Sequence, residues 1–180
     1  MGKIIALVNQ KGGVGKTTSS INLAASLGVL KRRVLLVDLD PQGNASTGIG
    51  IDKSTIKKSI YDLLLDNAEL SEAIIKTKFK NLYVIPATIN LAGADIELME
   101  KSRYEPGFSK GGQLKKYLSQ AKEMFDYIII DCPPSLGILT TNALTAADSV
   151  IIPVQCEFFA LEGIMQLINT IMLAQKNLNP

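Results

Sequence analysis

The sequence predicts an α/β fold in which a parallel sheet carries helices on both of its faces. Short apolar runs alternate with stretches of helical period along the 180 residues, as in repeated strand–helix units. Some runs, such as residues 34–37, are apolar throughout, which is typical of strands covered on both faces. The length and the 47% hydrophobic content fit one domain, residues 1–180, with a substantial core.

The strands and helices are expected in a regular order. Strands are predicted at residues 4–8, 34–37, 82–86, 126–131 and 149–154. Helices are predicted at 19–30, 54–66, 71–75, 92–101, 113–124, 136–147 and 157–177, the second of them capped by Ser54. The Gly- and Pro-containing segment 104–112 is predicted to be a mobile loop. Lys76, Lys78 and Lys80 indicate a solvated sheet edge rather than a DNA-binding patch.

A glycine-rich run joins the first strand to the first helix. Residues 9–18 read Asn-Gln-Lys-Gly-Gly-Val-Gly-Lys-Thr-Thr. Glycines let the backbone curl so that its N–H groups point at phosphate oxygens, and the helix N-terminus adds its dipole. A plain glycine turn is the alternative, but a chance match to the whole pattern is on the order of 10⁻⁴. The residues expected to bind a nucleotide are Lys11, Gly12, Gly13, Val14, Gly15, Lys16, Thr17 and Thr18.

The loop contains two lysines and one departure from the standard phosphate-binding motif. Lys16 is expected to place a positive charge at the β- and γ-phosphates, and the Thr17 hydroxyl to hold Mg²⁺. The standard motif opens with a glycine where this chain has Gln10, and the next residue is the second lysine, Lys11. This arrangement matches the deviant Walker A pattern, and it predicts a nucleotide site.

Three aspartates are predicted at the carboxyl ends of strands, where ligand sites of α/β proteins gather. Asp131 ends the fourth predicted strand, which is the Walker B arrangement that supports Mg²⁺. Asp38 and Asp40 follow the second strand, and alternation puts them on the same side of the chain. One or both could approach the magnesium ion or the water that attacks the γ-phosphate. An Asp-Pro turn that closes a strand is the alternative.

Composition excludes several other classes of protein. The net charge of +2 is too small to indicate nucleic-acid binding by itself. The chain has no histidine, and Cys132 and Cys156 form no Cys-x-x-Cys pair, which argues against zinc and for a reducing compartment. Because Lys3 already enters a strand, no signal peptide is expected. No apolar run is long enough for a bilayer, so a cytoplasmic protein without a membrane partner is expected.

Four motifs together resemble the ParA/Soj chromosome and plasmid partitioning ATPases, a deviant Walker A family of the SIMIBI type. They are residues 9–18, Asp-Leu-Asp-Pro-Gln-Gly-Asn at 38–44, Asp-Cys-Pro-Pro-Ser at 131–135 and Pro-Val-Gln-Cys-Glu at 153–157. The resemblance covers almost the whole chain, and the early first strand is similar to the short, Soj-like branch. Relative to that family the chain is expected to lack a C-terminal portion, which carries basic DNA-contacting residues and part of the adenine pocket.

The resemblance implies a mechanism and a set of partners. ATP would be held between the two subunits of a homodimer, with Lys11 reaching the partner's phosphates and Lys16 acting as the ordinary P-loop lysine. Thr17 would ligate Mg²⁺ with support from Asp131, and Asp40 would orient the attacking water and lie near the metal. Asp38 would help to fix the Asp40 loop. A ParB-type centromere-binding protein would stimulate hydrolysis, and the full-length family binds DNA without sequence preference.

Three other functions remain open at this point. A MinD-like ATPase that positions the division site at the membrane has a similar loop, but it usually keeps glycine where this chain has Gln10. A redox protein similar to the nitrogenase iron protein shares the fold and needs two cysteines placed to share a cluster. Cys132 and Cys156 do not match that placement. A scaffold that is gated by ATP without hydrolysing it would be separated from an ATPase by measuring turnover.

Overall fold

The computed structural model describes residues 1–156 and 160–179, without the side chains of residues 160–162. Six strands form one sheet with the order β3-β4-β2-β5-β1-β6. Their bounds are β1 Lys3–Leu7, β2 Val34–Asp38, β3 Ile75–Lys76, β4 Leu82–Ile85, β5 Tyr127–Asp131 and β6 Ser149–Ile151. All neighbouring strands are parallel except β3 and β4. The predicted parallel sheet is therefore confirmed.

The strand β3 was not predicted, because two residues are too short to show a period. It pairs antiparallel with β4, and Ile75 lies opposite Val84. Lys76 belongs to this edge strand and is exposed. The expected solvated edge is therefore present at Lys76, as a short antiparallel addition to a parallel sheet.

Eight helices are described along the same residues. Their bounds are α1 Lys16–Val29, α2 Asn44–Gly48, α3 Ile60–Leu64, α4 Leu70–Ala73, α5 Ala94–Tyr104, α6 Gln113–Ala121, α7 Ile138–Ala146 and α8 Ala160–Asn177. Two 3₁₀ turns, Lys53–Thr55 and Ile89–Gly93, lie between them. The helix predicted at 157–177 is observed from Ala160, and its first three residues lie outside the described part of the chain. None of these helices is long and apolar enough to cross a membrane.

Strand residues alternate between two hydrophobic clusters, one on each face of the sheet. In β2 all five residues are buried, and Leu35 and Val37 enter one cluster while Val34 and Leu36 enter the other. The first cluster includes side chains of α3, α5, α6, α7 and α8, represented by Leu63, Leu98, Leu118, Ala143 and Leu167. The second includes Ala24 of α1 and Ala45 of α2. Burial on both faces explains why β2 is apolar without alternation.

The helix predicted at 54–66 with Ser54 as its cap is wrong. Asp52 accepts the Ser54 N–H at 2.9 Å, which closes a 3₁₀ turn instead of starting a helix. The helix α3 begins only at Ile60, where Asp62 Oδ2 accepts the Ser59 N–H at 2.9 Å in a capping box. Local hydrogen bonds that aspartate side chains accept therefore favour a turn and a short helix over one long helix.

Several other predicted bounds are shifted, and one helix was missed. The first helix begins at Lys16 rather than residue 19, and the strand predicted at 149–154 ends at Ile151. The missed helix is α2, which starts after Gly43. Gly43 has a φ of 63°, so its left-handed backbone turns the chain from the Asp40 loop into α2.

Candidate functional site

Parallel pairing brings the glycine-rich loop and the aspartates to one edge of the sheet. The central strands lie in the order β2-β5-β1, so the carboxyl ends of all three are neighbours. Asp131 at the end of β5 is in register with Asp38 of β2 on one side and with Leu7 of β1 on the other. The loop that follows Leu7 therefore lies next to Asp38 and Asp131, which are distant from it in the sequence.

The loop curls where its glycines allow it. Gly13 and Gly15 have φ values of 75° and 91°, which residues with a side chain rarely adopt. A Cβ atom at either position would meet no atom within 4 Å, so open space lies beside the loop. Gly15 is the N-cap of α1, and its carbonyl accepts the Ser19 N–H at 2.9 Å. The loop thus ends at a helix N-terminus, which suits an anion.

The residues predicted to bind nucleotide differ in exposure. Val14 and Lys16 are buried, and Gly15 and Thr17 are half-buried. Lys11, Gly12, Gly13 and Thr18 are exposed. An exposed crest over a buried lysine is the surface that a nucleotide could cover.

Lys16 lies inside the curve of the loop. Its Nζ donates to Lys11 O at 3.1 Å, so the ammonium group lies between the two ends of the loop. Burial lowers the pKa of Lys16, while the negative charges of Asp131 and Asp40 act in the opposite direction. A desolvated ammonium group attracts phosphate strongly, because water competes little for it.

Asp131 is fully buried and only half satisfied by protein partners. Its Oδ1 accepts the Ser20 hydroxyl at 2.9 Å, whereas Oδ2 has no hydrogen-bond partner among the residues that the structure describes. Burial raises the pKa of Asp131 to about 6, against the opposing effect of the Thr17 and Ser20 hydroxyls. A buried carboxylate oxygen that lacks a partner costs free energy, and a divalent cation or its water would satisfy it.

Asp38 holds the neighbouring loop together. Its Oδ2 accepts both the N–H and the hydroxyl of Ser46 at 2.7 Å, and its Oδ1 accepts the Asp40 N–H at 3.3 Å. Burial raises the pKa of Asp38, and these hydrogen bonds oppose the rise. Ser46 also accepts the Ala87 N–H at 3.2 Å, which connects the Asp40 loop to the end of β4. Asp38 is thus engaged as a support for this loop.

Asp40 is half-buried and sits on a tight turn. Its Oδ1 accepts the Gln42 N–H at 2.9 Å, and its backbone carbonyl accepts the Gly43 N–H at 2.8 Å. Its negative charge acts on Lys16, so its carboxylate lies near the phosphate-binding loop. This position suits a group that orients a water beside the phosphates.

The donor set fits magnesium bound together with a nucleotide. In residues 1–156 and 160–179, no group of three or more His, Cys, Asp or Glu side chains could hold a metal ion alone. A hydroxyl such as that of Thr17, one carboxylate and several phosphate or water oxygens are the ligands that Mg²⁺ usually takes. Thr17, Asp40 and Asp131, the three predicted metal residues, are brought together at this edge.

Sequence reasoning missed two serines of the site, Ser20 and Ser46. Ser20 lies one helical turn after Lys16, so the helical period alone pointed it toward the same pocket. Ser46 belongs to the missed helix α2, and no local signal pointed to it. Cys132 is buried and Cys156 is exposed, and neither forms a disulfide.

The fold and this loop define a P-loop nucleotide-binding protein. A family model described as an AAA domain matches residues 2–180. The sporulation initiation inhibitor protein Soj of Bacillus subtilis is 59% identical over 179 residues, which cover 99% of this chain and 68% of that protein. The chromosome partitioning protein ParA of Myxococcus xanthus is 52% identical, and the match covers 100% of this chain and 62% of that protein.

The chain belongs to the Soj/ParA family of partitioning ATPases, and the MinD-like alternative is not favoured. A solved structure named cobyrinic acid a,c-diamide synthase, from Mycobacterium smegmatis, contains an ATP analogue and magnesium. It is 42% identical with a TM-score of 0.92, and the match covers 100% of this chain and 69% of that one. The chain thus spans about two thirds of the length of each of these relatives.

Proposed function

We propose that this protein binds ATP with Mg²⁺, dimerises around it and hydrolyses it slowly, as a switch in the segregation of chromosomal or plasmid DNA. The observation that carries the proposal is the buried Lys16 of the loop near the buried Asp131, one oxygen of which lacks a hydrogen-bond partner within residues 1–156 and 160–179. That pair suits a phosphate chain and its cation. Identity of 59% to a Soj protein supports the role in segregation.

Each residue at the edge has a proposed task. Lys16 neutralises charge on the β- and γ-phosphates, and the N–H groups of residues 12–18 bind their oxygens. Mg²⁺, when bound, supplies Lewis-acid polarisation of those phosphates. Thr17 ligates it, and Asp131 supports it with Oδ2, the oxygen that no described residue contacts by a hydrogen bond. These tasks consist of positioning and charge neutralisation, which dominate phosphoryl transfer.

The hydrolytic step depends on Asp40 and on a second subunit. Asp40 orients the attacking water from a turn that Asp38 and Ser46 hold in place. Lys11 reaches the phosphates bound by the partner subunit. Its positive charge there neutralises the negative charge that develops on the phosphate oxygens in the transition state. A lysine with this task resembles an arginine finger, and turnover should be slow in the monomer.

The partners follow from the same proposal. A second copy of the chain completes the site, and a ParB-type centromere-binding protein stimulates hydrolysis. Non-specific DNA is proposed as a partner only for a chain of full family length, and this chain spans 62% of the ParA relative. The expected location is the cytoplasm, at the nucleoid where DNA is bound.

Phosphate release tests the proposal. We expect slow turnover of Mg·ATP by the protein alone and faster turnover with a ParB-type protein and DNA. The matched control is Asp40→Ala. It leaves the phosphate-binding loop at residues 9–18 unchanged, so it should keep ATP affinity but release little phosphate. ATP binding without any phosphate release in all conditions would contradict an ATPase and would favour a scaffold gated by ATP.

A further inference from the structure

Side-chain amides tie the phosphate-binding loop to the segment that runs from β6 into α8. Asn9 Nδ2 donates to Pro153 O at 2.8 Å. Gln10 Nε2 donates to Gly163 O at 3.2 Å and approaches Gln166 Oε1 at 3.4 Å. These contacts join residues that are about 150 positions apart in the chain. The loop therefore has a direct mechanical connection to α8.

A third amide fastens the crest of the loop to the same segment. Gln155 Nε2 donates to Gly13 O at 3.1 Å. We name the side chains of Asn9, Gln10 and Gln155 the amide clamp. Asn9 is buried, so water competes little for its hydrogen bond, whereas Gln155 is exposed. The two residues that precede Lys11 thus make the inner contacts of the clamp.

The contact between Gln10 and α8 lies against a glycine of the helix. A Cβ atom at Gly163 would lie 2.9 Å from Gln10 Nε2, so the Gln10 amide would have to shift away from its present position. Gly163 lies within α8, where glycine is less favourable than alanine by about 1 kcal/mol. The helix gives up this stability at the position where the amide reaches its carbonyl. Gln10 itself stands where the standard motif has a glycine, which could make no such contact.

The clamp acts on the backbone of Lys11. The Lys11 N–H donates to Asn9 Oδ1 at 2.9 Å, so Asn9 binds Lys11 and Pro153 with opposite ends of one amide. The Lys11 carbonyl accepts Lys16 Nζ at 3.1 Å. A shift of α8 would therefore act on Lys11 through Gln10, while Asn9 ties Lys11 to Pro153 in the segment before α8.

We propose that Gln10 and Asn9 are positioning residues through which α8 and the segment before it set the backbone of Lys11, Gln10 from Gly163 of the helix and Asn9 from Pro153. The helix thereby controls ATP-dependent dimerisation more than ATP binding, because Lys16 and the N–H groups of residues 12–18 bind the phosphates within one subunit. This inference rests on the proposed role of Lys11 across the dimer. A change at α8 would then alter dimerisation without touching the nucleotide.

The substitution Gly163→Ala tests the clamp directly. It pushes the Gln10 amide away while it raises helix propensity, so the fold should not lose stability. Hydrogen–deuterium exchange of residues 9–13 without nucleotide should be about 2- to 10-fold faster, which corresponds to the loss of one or two hydrogen bonds. Asn169→Ala is the matched control, because Asn169 is exposed on the same helix. Equal exchange in Gly163→Ala and in the wild type would overturn the proposal.

Measurements of ATP affinity and of the ATP-dependent dimer then separate an effect on Lys11 from a general disturbance of the nucleotide site. In Gly163→Ala and in Gln10→Ala, ATP affinity by calorimetry should change less than about 2-fold, while the ATP-dependent dimer weakens by about 2- to 10-fold. Combining both substitutions should weaken the dimer no further than either alone, because both break one contact. A matching loss of ATP affinity, or additive effects in the combined variant, would contradict the inference.

The proposed dimer switch and the proposed control of Lys11 by α8 can fail separately. A wild-type protein that binds Mg·ATP but does not dimerise would overturn the proposed dimer switch and with it the control of dimerisation by α8. The exchange measurement needs neither ATP nor a dimer, so it decides by itself whether α8 holds the backbone of Lys11.

Discussion

Replacing Asp131 by asparagine removes a buried negative charge from the carboxyl end of β5. The pKa of Asp131 is raised from 3.8 to about 6, chiefly by burial. As pH rises between these values, the unfolded chain loses its proton first, so the native state is the one that binds more protons. The stability contributed by the protonated form is complete below pH 3.8 and is lost as pH rises through about 6.

The size of this effect follows from the shift in pKa. A rise of about 2 pH units corresponds to about 3 kcal/mol of native-state stability lost across the whole window. Between about pH 5 and about pH 7.5 the share of this loss is about 1.4 kcal/mol. The asparagine side chain of the variant does not titrate, and the cost of its buried amide is the same at every pH. The difference in stability between variant and wild type should therefore grow by that amount in favour of the variant.

Urea unfolding followed by circular dichroism measures the difference. Both proteins are studied at the two pH values with a metal chelator and without nucleotide, so that no cation binds the carboxylate. Carboxylates that do not interact with Asp131 titrate equally in both proteins and cancel in the comparison, whereas part of the difference reports the charge coupling of Asp131 to Asp38 and Asp40. Parallel pH profiles for Asp131→Asn and wild type would refute the assignment of Asp131 as a buried, partly unsatisfied carboxylate.

Three further predictions concern the dimer, the reaction and the fold. Lys11→Ala should keep ATP affinity but lose the ATP-dependent dimer in light scattering, and an unchanged dimer would rule out a cross-subunit role. Asp40→Ala should accumulate an ATP-bound dimer with little phosphate release, and wild-type turnover would count against it as the water-orienting group. Gly28→Ala places a Cβ atom 2.7 Å from Lys80 O, a backbone atom that cannot easily move. The free energy of unfolding should fall by about 1–3 kcal/mol. Ala25→Gly, on the same helix, is the reference for a change in helix propensity alone. An unaltered midpoint of urea unfolding in Gly28→Ala would refute the prediction.

Local patterns explain why much of the site could be predicted from sequence. The strand, loop and first helix are contiguous, so the glycines and Lys16 could be read together from residues 4–30. Asp38 and Asp131 ended apolar runs, and parallel pairing places such ends at one edge. The five parallel strands and most of the longer helices between them could likewise be placed in order from hydrophobic period.

Competing hydrogen bonds explain the errors in the elements. The hydrophobic period indicated one helix at residues 54–66. Asp52 instead accepts a backbone N–H in a 3₁₀ turn, and Asp62 accepts a backbone N–H where the short helix α3 starts. Propensity and period do not rank such local contacts against helix formation. The antiparallel pairing of β3 depends on its position beside β4, which two residues do not encode.

Long-range contacts explain what sequence could not give within the site. The hydroxyl that binds Asp131 comes from Ser20, which is 111 positions away, and the partner of Gln10 is Gly163, 153 positions away. Neither pairing leaves a mark in the neighbouring sequence. Gln10 was noticed only as a departure from a motif, and the folded chain was needed to show what its amide contacts.

Binding of Mg·ATP to the wild type and to Lys16→Ala tests the central claim most directly. Lys16 is the buried cation of the loop, and removing a hydrogen bond from a charged group costs about 1.5–3 kcal/mol. Isothermal titration calorimetry should show affinity for ATP in the wild type and a loss of about 10- to 100-fold in the variant, with the fold unchanged by circular dichroism. Equal affinity in the two proteins would contradict the assignment of this loop as the nucleotide site.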